Sequence, residues 1–184
     1  MGRPPTCRLE LNVIDLRHFQ HGNLPESFRQ LLIDIHDDAY ADAMDDPFNQ
    51  RFPWFVDHWS GMEGFTCVVA YDGDEPTGFA YGGPLTPGRE WWRSTDYEPN
   101  NGYTSTYAVS ELMVRPHWRK KGVSERLHEA LLKERTEDLA VLLVDVTHPK
   151  VQALYESWGY TKVGEQRPFA DAPLLAVMIK DLRS

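Results

Sequence analysis

The sequence predicts a single α+β domain built on a mixed sheet, and three observations carry that expectation. The apolar pattern switches between alternating and helical periods in the order β-α-α-β-β-β-α-β-α-β-β. Phe65–Tyr71 and Thr77–Gly82 flank an Asp72-Gly73 pair, a turn signal for an antiparallel hairpin. Leu139–Val146 is nearly continuous apolar sequence between two helical stretches, which suits a strand covered on both faces. A chain of 184 residues is long enough for a substantial core. With no repeat, low-complexity tract or linker to divide it, the expected domain runs over 1–184. Residues 1–6 are expected as a flexible tail and 84–102 as a long loop.

Each element has its own justification. Leu9, Leu11 and Val13 alternate with polar neighbours and read as a half-buried first strand. Pro25 opens a helix whose Phe28, Leu31, Leu32, Ile35 and Ala39 share one face. A shorter helix near Pro53–Gly61 carries Phe52, Phe55, Val56 and Trp59 as its stripe. After the hairpin, Gly83–Gly102 has no clear period, and loops of that length are usually functional or mobile. Thr104–Val114 reads as a long strand ending at Arg115-Pro116. The helix from about Gly122 to Arg135 turns Val123, Leu127, Ala130 and Leu131 inward. Thr147-His148-Pro149 starts another helix, striped by Val151, Leu154, Tyr155 and Trp158 and capped by Gly159. Tyr160–Val163 and Leu174–Ile179 read as the closing strands.

Composition narrows the function classes. A formal net charge of −9 argues against general nucleic-acid binding. The longest apolar run, Leu139–Val144, is far too short to cross a bilayer. The opening Met-Gly-Arg-Pro-Pro lacks the apolar core of a secretion signal. Cys7 and Cys67 have no CxxC spacing, and reduced thiols in a cytoplasmic protein are expected. No residue pattern suggests a required metal.

Two segments carry chemistry. In the first, an apolar strand (Leu112-Met113-Val114) passes through Arg115-Pro116-His117-Trp118 and a basic cluster, Arg119-Lys120-Lys121, to Gly122-Val123-Ser124, where a helix starts. Helix-start N–H groups lack intrahelical partners, and the helix dipole favours an anion there. Glycine admits a phosphate close to the backbone, and the basic side chains add charge. In the second, His148-Pro149-Lys150-Val151-Gln152-Ala153-Leu154-Tyr155-Glu156-Ser157-Trp158-Gly159-Tyr160 follows behind it. The first run resembles the acyl-CoA-binding segment of the GNAT N-acetyltransferases, Arg/Gln-x-x-Gly-x-Gly/Ala, at Arg119 and Gly122, with Ser124 a departure. The second is similar to the family's Asn-x-x-Ala-x-x-Leu-Tyr-x-x-x-Gly-Phe/Tyr at Leu154, Tyr155, Gly159 and Tyr160. His148 and Val151 depart from it. The likeness is clear over 104–163 and only topological before that.

The resemblance implies a GNAT acyl-CoA N-acyltransferase fold, a mixed and mostly antiparallel sheet with splayed fourth and fifth strands flanked by helices. It implies acetyl-CoA as co-substrate. The amide arm would pair with backbone at Leu112, Met113 and Val114, and the pyrophosphate would lie on N–H groups of Lys120, Lys121, Gly122, Val123 and Ser124. Arg119 and Lys120 would reach phosphates, and an N–H at Met113 or Val114 would polarise the thioester carbonyl. Tyr155 is then the candidate general acid, or a core tyrosine. Glu111 is the candidate base, or a surface carboxylate, because a bulge in that strand would decide which way it faces. His117 reads as a loop residue, while His148 and Asp145 read as caps.

The acceptor expected is a primary amine of a small cationic molecule such as a polyamine, amino sugar or aminoglycoside-like compound, attacking directly in a ternary complex. Asp34, Asp37, Asp38, Asp42, Asp45 and Asp46 precede Phe48, Phe52, Trp54, Phe55 and Trp59, a combination that attracts cations. A solvated helix end over an aromatic core explains the same residues. Trp91, Trp92, Tyr97 and Tyr103 suit an aromatic lid or a partner patch. A protein or peptide amino group, or a non-catalytic acyl-CoA sensor, are the alternatives. No nucleic-acid or membrane partner is expected, and homodimers are common in the family.

Overall fold

The computed structural model of the chain describes residues 13–184. In order, its elements are β1 (Ile14–Gln20), α1 (Phe28–Ala39), α2 (Pro47–Gln50), α3 (Phe52–Ser60), β2 (Thr66–Asp72), β3 (Glu75–Pro84), β4 (Thr106–Val114), α4 (Val123–Leu132), β5 (Leu139–Asp145), α5 (Pro149–Ser157), β6 (Thr161–Gln166) and β7 (Leu175–Asp181). One seven-stranded sheet has the order β1-β2-β3-β4-β5-β7-β6. Every neighbouring pair is antiparallel except β4 and β5. The expected element order is therefore present, with α2 and short 3₁₀ turns added.

The first strand of the described residues begins at Ile14. Ile14 pairs with Asp72 and Gln20 with Thr66, so the ends of β2 set the ends of β1. Val13 stands outside the strand, 83% exposed. Leu9, Leu11, Cys7 and the tail lie outside the described residues.

Helices cover both faces. Phe28, Leu32 and Ile35 recur at helical spacing on α1, and Phe52, Val56 and Trp59 on α3. Both stripes pack with Phe65, Cys67, Phe79, Tyr81 and Met113 on one side of the sheet. Each fully buried side chain of this size stabilises by about 1.5–3 kcal/mol. On the opposite face Val123, Leu127 and Leu131 of α4 pack against Ala80, Tyr107, Val109, Val114 and Leu142.

A bulge in β4 reverses its facing. Tyr81 pairs with Glu111 and Gly82 with Val109, leaving Ser110 as the extra residue. Tyr107 and Val109 consequently join the α4 side, whereas Met113 joins the α1–α3 side. Regular alternation would have kept these odd-numbered positions on one face. The bulge thus turns Glu111 toward the face that holds Tyr81. Gly82 permits it, since a Cβ there would stand 1.9 Å from the Ala108 carbonyl oxygen.

The connection from β3 to β4 is anchored. Trp92 is 3% exposed and its indole N–H donates to Thr106 Oγ1 at 3.0 Å. Trp91 sets its ring edge-on to Trp59, with centroids 6.1 Å apart. Both belong to the packing rather than to a free aromatic lid.

Candidate active site

β4 and β5 part early. Their register holds for three pairs, Thr106↔Leu139, Tyr107↔Ala140 and Ala108↔Val141, and none follows. β5 continues instead along β7. From the bulge to Val114, β4 therefore presents backbone along a gap, and Leu112, Met113 and Val114 lie on that stretch. A peptide-like amide arm can add to such an edge as a strand does.

The C-terminal end of this edge runs into a cradle. Pro116–Trp118 form a 3₁₀ turn, with His117 exposed on it. Lys120 then takes φ +60° and Gly122 φ +77°, and α4 begins at Val123. A non-glycine residue in the left-handed region is uncommon and orients successive N–H groups to one side. No side chain caps the helix start. A Cβ on Gly122 would meet nothing within 4 Å, so the space over the cradle is open. Lys120 and Lys121 are exposed beside it. Arg119 has a different engagement: its Nε donates to Val114 O (3.1 Å) and its Nη2 to Ala39 O (2.9 Å). It braces the end of β4 against the end of α1.

Next to the gap stands a set of protonated oxygen acids. Glu111 is half-buried, and burial pushes its carboxyl up to about 8. Tyr155 projects from α5, and burial first, then Glu111 and Tyr40, hold its phenol well above the usual range. Tyr40 follows α1 directly. Although 39% exposed, it is pushed up to about 12 by the enclosing chain and by Glu111. Tyr81 is fully buried, and its phenol is raised strongly by burial and also by Glu111. Glu111 is thus flanked by phenols from α1's end, β3 and α5. Burial favours the neutral form of all four groups, and Glu111, pushed up to about 8, is the first to ionise. A carboxyl raised this far is a base matched to an ammonium ion near neutral pH.

The remaining predicted residues are dispersed. Asp145 accepts from Thr147 N (2.8 Å) and Thr147 Oγ1 (2.7 Å), a cap ahead of α5. His148 stands at the N-cap of α5 and makes no side-chain cap bond. Asp38 pairs with Arg115 at 3.3 Å and Asp46 accepts from Phe48 N at 2.8 Å, whereas Asp42 and Asp45 are exposed. Ser124 is half-buried on the first turn of α4. Tyr40 escaped the sequence reading, since nothing local marks a tyrosine after a helix as a neighbour of Glu111.

A sheet parted between parallel strands, with a basic helix start at the parting, is the build of an acyl-CoA-dependent transferase. The comparisons make the class specific: the acetyltransferase (GNAT) domain model matches residues 63–162, and the chain belongs to that family. It is an N-acetyltransferase that uses acetyl-CoA as co-substrate. Solved structures agree in fold. Arabidopsis thaliana NAA60 in complex with acetyl-CoA is 14% identical, covers 94% of this chain and 100% of that one, and has a TM-score of 0.67. The ribosomal-protein-S18-alanine N-acetyltransferase from Escherichia coli is 17% identical, with 92% and 94% covered and a TM-score of 0.63. PH1933 from Pyrococcus horikoshii OT3 is 21% identical, with 91% and 98% covered and a TM-score of 0.62. No curated protein matches the sequence. Among the described residues, no helix is long and apolar enough to cross a membrane.

Proposed function

We propose that the chain acetylates a primary amine of a small cationic molecule by direct attack in a ternary complex. The observation that carries this reading is the raised carboxyl of Glu111 beside the Tyr155 phenol, both at the parted strands. Bound acetyl-CoA supplies an acetyl thioester. The N–H groups of Lys120–Ser124 hold its diphosphate, Lys120 and Lys121 add charge, and Arg119 keeps the cradle in shape from behind. Backbone along Leu112–Val114 aligns the amide arm, and the N–H of Met113 or Val114 faces the carbonyl oxygen. Glu111 takes the proton that keeps the acceptor amine unreactive, directly or through one water. Tyr155 Oη gives a proton to the departing sulfur.

Two features support a small cationic acceptor. The exposed Asp42 and Asp45 lie between α1 and α2, so the chain there is negative. Arg51 pairs with Asp171 at 3.0 Å and lies over Phe169 at 4.8 Å, tying α2–α3 to the β6–β7 connection. Such a strap suits a small molecule better than an extended peptide. The test is calorimetry with acetyl-CoA followed by thiol release against a panel of polyamines, amino sugars and peptide amines. Binding with release driven by a small cationic amine is the expected result. Release driven only by peptide amines would move the acceptor to a protein amino group.

A further inference from the structure

Tyr81 is the one fully buried tyrosine in the described residues whose hydroxyl has no hydrogen-bond partner. Its ring is clamped: Phe79 stacks parallel to it at 5.7 Å, Phe65 packs at 5.5 Å and Trp59 at 6.4 Å. Phe79 occupies the same face two residues earlier, with no hydroxyl to satisfy. Phenylalanine would serve packing equally well at Tyr81 and would avoid burying a donor without an acceptor. The hydroxyl therefore calls for another explanation.

The sheet register supplies one. Cys67, Tyr81 and Glu111 lie in a row across β2, β3 and β4. Directly paired residues share a face, with Cβ atoms about 4.5–5.5 Å apart. The bulge at Ser110 is what brings Glu111 to this face, and Gly82, the next residue of β3, is what allows the bulge. Around the Tyr81 phenol stand Glu111, Cys67 and the Ser110 hydroxyl of the bulge, which is near enough to act on the phenol although no hydrogen bond of normal geometry joins them.

We infer that Tyr81 is a positioning residue for Glu111: its hydroxyl donates to the carboxylate that Glu111 becomes on losing its proton, and holds it toward the acceptor amine. The phenol keeps its own proton throughout. The other titratable groups facing this pair are Tyr40 at the end of α1, Tyr155 on α5 and Cys67 on β2, with Arg119 acting on Tyr40. Burial raises the two phenols and the thiol, which keep their protons near neutral pH, so the Tyr81 bond separates the two states of Glu111. The inference rests on Glu111 as the base, and the two can fail separately.

The experiment compares wild type, Tyr81→Phe and Glu111→Gln by carbon NMR titration of labelled glutamate carboxyls and by the pH dependence of kcat/KM. Loss of the donor should raise the Glu111 midpoint in Tyr81→Phe by about one pH unit. The rising limb of kcat/KM should move with it, lowering kcat/KM about tenfold below the midpoint. Thermal stability should hold or rise, because a buried unpaired donor is gone. An unchanged Glu111 midpoint in a folded Tyr81→Phe protein would overturn the inference. A limb that persists in Glu111→Gln would overturn the base reading, while the carboxyl titration still decides whether Tyr81 serves Glu111.

Discussion

Two polar clusters of this protein, on opposite faces of the sheet, are treated in opposite ways. On the α4 face, His128 Nε2 and the Tyr160 hydroxyl lie 2.8 Å apart, and the imidazole stacks on Trp158 at 4.9 Å. Burial first, then Lys180, pushes His128 down to about 4. It is a neutral ring with its bond made. On the α1 face, Glu111 is forced up to about 8, and Tyr81 opposite it has no partner. The satisfied pair holds α4 to the residue ahead of β6. The unsatisfied set lies where the strands part, and under the proposed function its free hydrogen-bonding capacity serves the chemistry.

The largest effects fall where the strands part. Glu111→Gln should lower kcat by about 10²–10⁴-fold and flatten the rising limb of the pH profile, measured by steady-state thiol release. Gly122→Asp places bulk and negative charge over the cradle, and calorimetry should read an acetyl-CoA affinity on the order of 100-fold weaker. Normal affinity in a folded variant would remove the cradle from the phosphates. Tyr155→Phe should cost about 100-fold in kcat with little change in acetyl-CoA affinity. Unchanged turnover would leave Tyr155 a packing residue.

Stability sharpens the same contrast, because the two groups give opposite pH slopes. His128 binds a proton at about 6.5 unfolded and about 4 folded. The unfolded state therefore holds more protons between these values, and at most about 3 kcal/mol of stability is lost as pH falls from 6.5 to 4. Glu111 titrates near 4.5 unfolded and about 8 folded. Here the folded state holds more protons, so stability falls as pH rises from 4.5 to 8. Denaturant titrations of Glu111→Gln should lack that alkaline decline and gain at most about 4 kcal/mol near pH 7.5.

Much of this was legible in the chain. Helical stripes such as Phe28-Leu32-Ile35 and the Asp72-Gly73 turn are local, so periodicity and turn chemistry reveal them. The glycine between Lys121 and Val123 marks a left-handed turn into a helix, which sequence conveys well. What stayed hidden depends on partners distant in the chain. The start of β1 follows the end of β2, and Tyr40 meets Glu111 only in the folded chain. Arg119 reads as a mobile charge until Val114 O and Ala39 O are seen to hold it. The facing of Glu111 turned on the bulge, for which Gly82-Gly83 inside a strand was the available clue.

The most direct measurement is the pH dependence of kcat/KM for amine-driven thiol release from acetyl-CoA, run on wild type and Glu111→Gln together. An alkaline-rising limb near pH 8 in wild type that vanishes in Glu111→Gln is the expected result. Superimposable profiles from the two proteins would contradict it and return Glu111 to a structural role.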